Sequence, residues 1–436
     1  MELKGYATSK AYWLKFFWGV LIGLLVALSV LFYNYVMNLG LTWLWPEPPG
    51  WEPFSGSWRV VVIMTIAGLI VGLLHHFMKA REIGVAEIIK DGRTDNKFVP
   101  GGLLVSLVSL IGGFSIGPEV PSGMLAGGIA TWISEKRADK EDAQRSNVIS
   151  SITSAYGGLF TAPLGAIMMV LEMPHMQSAN FYGTLIIAAA ASMVGFAVFY
   201  LSGSDQFAGL LRILDLPVYD LRIWHMLIAV VLGIVGAVLA LTFGLTIGLL
   251  KRLIKPIDVN PILRNTLVGF TMGLLGYALP LTLFLGSDGL EVVTDNAVEM
   301  GAALLVVYVF AKIFATAGAI SASFIGGPIF PLFFVGGAMG TVINLLFPEI
   351  PIALAVGCGM AAVTAGALPI PITMGIYTIL IVGLPLTEAI PILIAAFTAF
   401  LIIRGFGLVA KTVKPKETVE NEGETTQNIP ADNEHK

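Results

Sequence analysis

The amino-acid sequence predicts an all-α polytopic membrane protein made of two related halves. Three observations carry that prediction: long, nearly uncharged apolar runs along almost the whole chain, a charge density far below that of soluble domains, and a glycine-proline motif that returns once. Of 436 residues, 56% are hydrophobic and 12% charged, where an average soluble domain carries about 25% charged residues.

The apolar runs are, in order, Trp13–Met37, Arg59–Phe77, Phe181–Leu201, Trp224–Leu250, Thr266–Leu285 and Ala302–Ala319. Crossing a bilayer as a helix takes about 20 predominantly apolar residues, and several runs reach that length. Lys4, Lys10 and Lys15 stand at the head of the first, as basic residues do in a secretory signal. It is longer than a signal's apolar region and no small-x-small cleavage site follows, so it reads as a retained first helix. The glycines of GLIVGLL and GIVGAVLALTFG suit close helix packing. No Walker or Rossmann context surrounds them, so a nucleotide cofactor is not expected.

Cys358 is the single cysteine, which excludes an intrachain disulfide and gives a thiolate metal site no support. His75 and His76 end the second run, beside Lys79 and Arg81. Adjacent helix positions do not share a face, so this pair reads as interfacial rather than metal-binding. His175 has no second histidine nearby. No metal, cofactor or nucleic acid is expected.

Basic residues cluster in Lys79–Lys97, Glu135–Arg145, Lys251–Lys255 and Lys411–Lys416, whereas Trp45–Trp58 and Gly203–Asp220 are poor in Lys and Arg. The positive-inside bias puts the basic group and both termini in the cytoplasm, so the number of net crossings is even. The expected location is a bacterial inner (plasma) membrane, multi-pass. Residues 413–436 are polar, acidic and free of aromatics, which predicts a disordered cytoplasmic tail. The transmembrane domain is then 1–412, with halves at about 1–220 and 221–412.

These halves rest on two ordered matches. GPEVPSGMLAGGIAT (117–131) returns as GPIFPLFFVGGAMGT (327–341), and downstream of each lies TAPLGAIMMV (161–170) or ALPIPITMGI (367–376). Gly-Pro-x-x-Pro starts a helix well, because proline fits the first turn, where its missing N–H costs nothing. If such a helix starts in mid-bilayer, its free amides and positive dipole end face a buried point. Two half-helices from two repeats, N-termini converging near the midplane, are a recurring way for transporters to hold an anion.

Glu119 lies in the first turn of one such half-helix, at a spot that also suits an anion. A carboxylate there competes with the permeating ion, and when protonated it is neutral and free to swing away, so it can gate with pH. The bland reading is a capping carboxylate near the membrane surface, worth under about 2 kcal/mol. Intramembrane ionisable residues are functional by default, which favours the gate.

On these residues the sequence resembles the CLC family of chloride channels and chloride/proton antiporters, over roughly 15–410. It is most like a divergent bacterial branch whose gating motif reads G-P-E-x-P. EIGVAEII (82–89) looks like the family's first motif, GSGIPE. GPEVP (117–121) matches G-K/R-E-G-P and puts Glu119 on the gating glutamate. TAPLGAIMMVLEM (161–173) looks like the A-P-L-x-G helix with an acidic end, and GGPIFP (326–331) looks like G-x-F-x-P, with Lys312 on a basic position before it.

The resemblance implies two inverted-topology halves, and a homodimer in which each subunit has its own anion pathway. It also implies anion contacts from backbone amides at Ile83, Gly84, Gly117, Val120, Gly327, Ile329 and Phe330.

Several positions depart from the family pattern. The serine of the first motif falls on Ile83, and Pro118 and Pro328 have no N–H to give. The remaining donors there are the amides of Glu119, Val120, Ile329 and Phe330. RGFGLVAKTVKP (404–415) offers no clear pore tyrosine. Met173 stands where antiporters carry an inner glutamate, with Glu172 one residue earlier and about 100° away on a helix. Glu172 is therefore either a second member of a proton path or a buried structural carboxylate.

These residues leave open a proton-coupled exchanger of chloride or another small anion, a passive anion channel, and a fluoride exporter. A cation-coupled transporter of another fold fits the anion-friendly helix ends poorly. An intramembrane enzyme would need a base to match Ser122, and His175 and His225 both sit at run ends.

Overall fold

A computed structural model describes residues 9–47, 50–173, 181–203 and 214–407. Sixteen α-helices form its frame among these residues. The first half holds α1 (Lys10–Leu44), α2 (Trp58–Met78), α3 (Val85–Asp91), α4 (Val99–Ile111), α5 (Glu119–Lys136), α6 (Glu141–Leu159), α7 (Pro163–Glu172) and α8 (Phe181–Leu201). The second holds α9 (Ile223–Ile254), α10 (Pro261–Ala278), α11 (Ser287–Asp295), α12 (Ala297–Ser321), α13 (Ile329–Leu346), α14 (Ile352–Ala367), α15 (Pro371–Val382) and α16 (Ile390–Gly405). His175, the tail 413–436, the Lys411–Lys416 cluster and the end of RGFGLVAKTVKP lie outside the described residues.

Each helix of the first half has a counterpart eight places later. The motif helices α5 and α13 have 18 residues each, α7 and α15 have 10 and 12, and α3 and α11 have 7 and 9. The halves meet at the motif itself. Gly117 N–H donates to the Gly327 carbonyl at 2.7 Å and Gly327 N–H to the Gly117 carbonyl at 2.8 Å, an isolated antiparallel pair. Equivalent residues exchanging hydrogen bonds antiparallel is what an inverting two-fold axis produces. Phe114 and Phe324, each three residues before its glycine, stack with centroids 4.0 Å apart.

Equivalent helices also pack on each other, α2 along α10 and α7 against α15. Small residues allow the first contact: a Cβ on Gly68 would lie 3.2 Å from the Gly269 Cα. That is the close approach expected of GLIVGLL.

Among the described residues six helices are long and apolar enough to cross a membrane: Lys10–Leu44, Trp58–Met78, Phe181–Leu201, Ile223–Ile257, Ala297–Ser321 and Ile329–Leu346. Large apolar side chains such as Phe17, Leu28, Phe32, Leu245 and Leu249 lie exposed on the outer surface, as lipid contact requires. The run Thr266–Leu285 does not form one span. Its helix stops at Ala278 because Pro280 has no N–H to give and forces Leu279 out of helical geometry, to φ −134° and ψ 82°. The motif helices also differ from a literal half-span: 18 residues make about 27 Å. The helices short enough for a half-span are α3, α7, α11 and α15. In α5 and α13 it is the starting point that is unusual, because both begin inside the protein.

Candidate functional site

Both motif helices start alike. Pro118 and Pro328 are the N-caps, and their carbonyls accept the first helical hydrogen bonds, from Ser122 N–H at 3.0 Å and Leu332 N–H at 2.9 Å. The third helical residue of each is proline (Pro121, Pro331) and brings no N–H. Two free amides therefore remain per helix, those of Glu119 and Val120 on α5 and those of Ile329 and Phe330 on α13. These are the four donors the motif spacing predicts.

The repeats diverge at one decisive place, since Ile329 stands where the first half has Glu119. One carboxylate thus serves two helix ends, and it crosses to the far one. Glu119 is 2% exposed; its Oε1 accepts the Ile329 N–H at 2.7 Å, and the amides of Phe330 and of Glu119 itself also act on the carboxylate. Its Oε2 is buried and has no hydrogen-bond partner among the described residues. An anion held by end-on amides meets both the unpaired donors and the positive dipole end. The Glu119 carboxylate occupies that position here.

The two glycines act through what they lack. Their amides were expected among the anion-binding groups, but each donates to the other's carbonyl, so neither N–H is free. A Cβ on Gly327 would overlap the Glu119 side chain, and one on Gly117 would lie 2.9 Å from its carboxyl carbon and from the Phe330 ring. Only glycine leaves room for the carboxylate to lie between the helix ends.

Around this point the packing is aromatic. Tyr156 of α6 donates its hydroxyl to the Glu119 carbonyl at 2.8 Å. Phe160 stacks on Tyr156 at 5.6 Å, on Phe330 at 5.3 Å and on Tyr377 at 4.2 Å. The Tyr377 and Ser122 hydroxyls are buried and have no hydrogen-bond partner among the described residues. Sequence reasoning passed over Tyr156 and Tyr377; no motif marks them, and their places follow from how α6 and α15 cross the site.

Ile83 is buried and Gly84 caps α3 with open space where a side chain would be. The next residue, Val85, packs against Gly123, one turn beyond Glu119. On another side a cavity of about 20 Å³ lies between Ser287 of α11 and Phe330, room for about one water. Lys312 is fully buried, and its Nζ donates to the carbonyls of Leu281, Thr282, Leu283 and Phe284 at 2.8–3.3 Å. It organises the loop entering α11 and lies 5.1 Å from the Phe334 ring centroid.

Glu172 repeats the Glu119 arrangement at the other pair of short helices. Its carboxylate accepts from Ile372 N–H at 2.7 Å, Thr373 N–H at 2.8 Å and the Thr373 hydroxyl at 2.6 Å. It caps α15 from the last turn of α7, tying one half to the other. Groups of three or more metal-ligating side chains do not occur among the described residues.

The sequence profile of the family described as voltage gated chloride channel matches residues 67–404. The chain belongs to that family. Family membership makes this a membrane protein that carries anions, and it sets aside the enzyme reading. Among relatives of the voltage gated chloride channel family, YfeO of Escherichia fergusonii, named for ion transport, is 25% identical over 361 residues, covering 79% of this chain and 82% of that protein. YfeO of Salmonella newport is 25% identical over 361 residues, covering 78% and 83%.

Among solved structures, a slow cyanobacterial Cl−/H+ antiporter superposes with a TM-score of 0.76 at 18% identity, covering 91% of this chain and 96% of its own. A CLC-type fluoride/proton antiporter superposes with a TM-score of 0.72 at 18% identity, covering 90% and 95%. These likenesses establish the inverted-repeat, all-helical fold.

Proposed function

We propose that this chain moves chloride, or another small anion, through a pathway gated by Glu119, with a proton as the opening ligand. The single observation that carries the reading is the Glu119 carboxylate seated on the Ile329 amide, where a permeating anion would be held. An incoming anion and the carboxylate compete for the same amides. Protonation removes the charge, weakens the hold of the helix end and frees the site.

The anion's partners in this reading are the amides of Ile329, Phe330 and Val120, with the Tyr377 and Ser122 hydroxyls as further donors. Gly84 at the α3 N-terminus would mark the next position along the route. The solved neighbours that exchange chloride or fluoride for protons support coupled exchange. Fluoride stays among the candidate ions because Ile83 replaces a hydroxyl in the central motif.

A passive anion channel is the second reading, and Met173 favours it. The nearby Glu172 is committed to capping α15, so the inner proton relay of the antiporters has no free carboxylate there. The proposed setting is a homodimer in a bacterial plasma membrane, with both termini and the basic loops in the cytoplasm and residues 1–412 forming the transport domain.

Anion efflux from proteoliposomes, with external pH recorded alongside, tests this for chloride, fluoride and nitrate. Proton uptake that tracks efflux, and vanishes in Glu119→Ala while anion flux persists, is the expected result. Anion flux without proton movement selects the channel, and no flux of any of the three ends the anion reading.

A further inference from the structure

Two main-chain loops lead into the site, one from each half: residues 79–84 enter α3 and residues 322–328 enter α13. One side chain touches both. His75, in the last turn of α2, has Nδ1 3.0 Å from the Ala80 carbonyl oxygen and Nε2 2.9 Å from the Ser323 carbonyl oxygen. Beside it, Asn265 of α10 donates to the Ala322 carbonyl at 3.1 Å, so two consecutive carbonyls of the second loop are held from outside. Ser323 sits at φ +65°, a conformation serine keeps only where its surroundings hold it. The second-half counterpart of the α3 loop, 281–284 leading into α11, is held by Lys312 instead.

Both groups facing the imidazole are acceptors, and a neutral imidazole has one N–H. Neutral, the ring donates to one loop and presents a lone pair to the other carbonyl. Protonated, it donates to both. We propose that His75 is a positioning residue for anion transport, a proton-operated clamp that ties the α3 loop of one half to the α13 loop of the other. It thereby sets the two helix N-termini of the anion route relative to each other. This rests on reading those N-termini as the anion site.

The charged groups around the ring are accounted for. Arg264 of α10 faces it, paired with Asp258 and donating to the Asn265 side-chain oxygen at 2.8 Å. Arg81 of the loop is bound to Glu87 at 2.9 Å. His76 on α2, Lys79 and Glu82 in the loop and Lys251 of α9, which faces Glu82, complete the set. The segment of α12 leading into Ser323, from Ile313 on, carries no charge.

The test uses the full chain in proteoliposomes, with the pH on the loop side set to about 5.5 or about 8, either side of the ordinary imidazole range, and the other side held constant. A charge-assisted hydrogen bond gained in acid predicts an apparent KM for chloride about tenfold lower at the acid setting. Because Glu119 has its own proton response, the clamp is read in Glu119→Ala, where the tenfold change should persist. Added to Glu119→Ala, His75→Gln and His75→Lys are both expected to give a flat profile. If either folded double variant keeps the pH response of Glu119→Ala, the clamp is wrong.

Hydrogen–deuterium exchange of 79–84 and 322–328, corrected for intrinsic pH effects, gives a readout independent of transport. Protection of both loops should drop together in His75→Gln at acid pH and match wild type at about pH 8. Equal protection at both settings overturns the clamp. Absence of flux for every anion would instead overturn the anion reading and leave the exchange result to judge the clamp.

Discussion

Removing the Glu119 carboxylate should make the protein bind anions more tightly at neutral to alkaline pH, although a charged, hydrogen-bonded group is being deleted. On the proposed reading, an anion in wild type has to displace a carboxylate that accepts the Ile329 amide at 2.7 Å at the positive end of α13. A charge-assisted hydrogen bond contributes about 1.5–3 kcal/mol, and the helix end adds roughly 0.3–1 kcal/mol. The displacement therefore costs about 2–4 kcal/mol, or roughly 30- to 900-fold in affinity. Glu119→Ala avoids that cost.

Isothermal titration of chloride and of fluoride into purified protein at about pH 8 should show that gain. Acidification should bring wild type towards the variant, because a protonated carboxyl competes weakly, while the variant's own affinity should lack that component. A chloride Kd for Glu119→Ala within about threefold of wild type at alkaline pH would refute the competition argument. The amides would then not be the anion's ligands.

Further outcomes follow from neighbouring groups. Gly327→Ala puts a methyl group where the Glu119 side chain lies; since that side chain can swing aside, the variant should fold, conduct anions and lose the proton dependence of flux as Glu119→Ala does, and intact proton dependence in the flux assay would contradict the packing. Glu172→Gln turns an amide N–H towards donors that now meet a carboxylate, so thermal stability should fall by about 1–3 kcal/mol while anion and proton fluxes stay unchanged; a lost proton flux at unchanged stability would make Glu172 a relay. Glu82 sits in the loop between α2 and α3, open to water yet ringed by protein, and burial pushes its carboxyl from the ordinary 4.5 up to about 7, with Lys251 pulling the other way. The native state then holds the extra proton, so its contribution to stability is fully present below about pH 4.5 and is lost as pH rises through about 7. Melting temperatures across that window should decline less in Glu82→Gln than in wild type, and parallel curves would show that the loop does not perturb this group.

Much of this molecule is written in local chemistry. Nearly uncharged runs report a membrane protein because a bilayer core tolerates few charges. Gly-Pro-x-x-Pro reports a helix start because proline's constraints are intrinsic to the residue, and its return 210 residues later reports the repeat. The four amides left by the prolines could be counted from spacing alone.

Other features depend on contacts between residues far apart in the chain. Nothing near Glu119 in sequence says that its carboxylate crosses to the second half and rests on Ile329. Gly117 and Gly327 were read as donors, yet their amides satisfy each other, because the inverting axis passes between them. Glu172 became a cap for α15, and His75 became a bridge between two loops, through pairings of residues 200 and 248 positions apart. The sequence by itself determined most of the long helices, the start of both motif helices and the four amides their prolines leave free, since these follow from residue type and spacing. Which carboxylate meets which amide was decided only by the tertiary fold, because the two-fold packing of the halves, and no local propensity, brings those partners within hydrogen-bond reach.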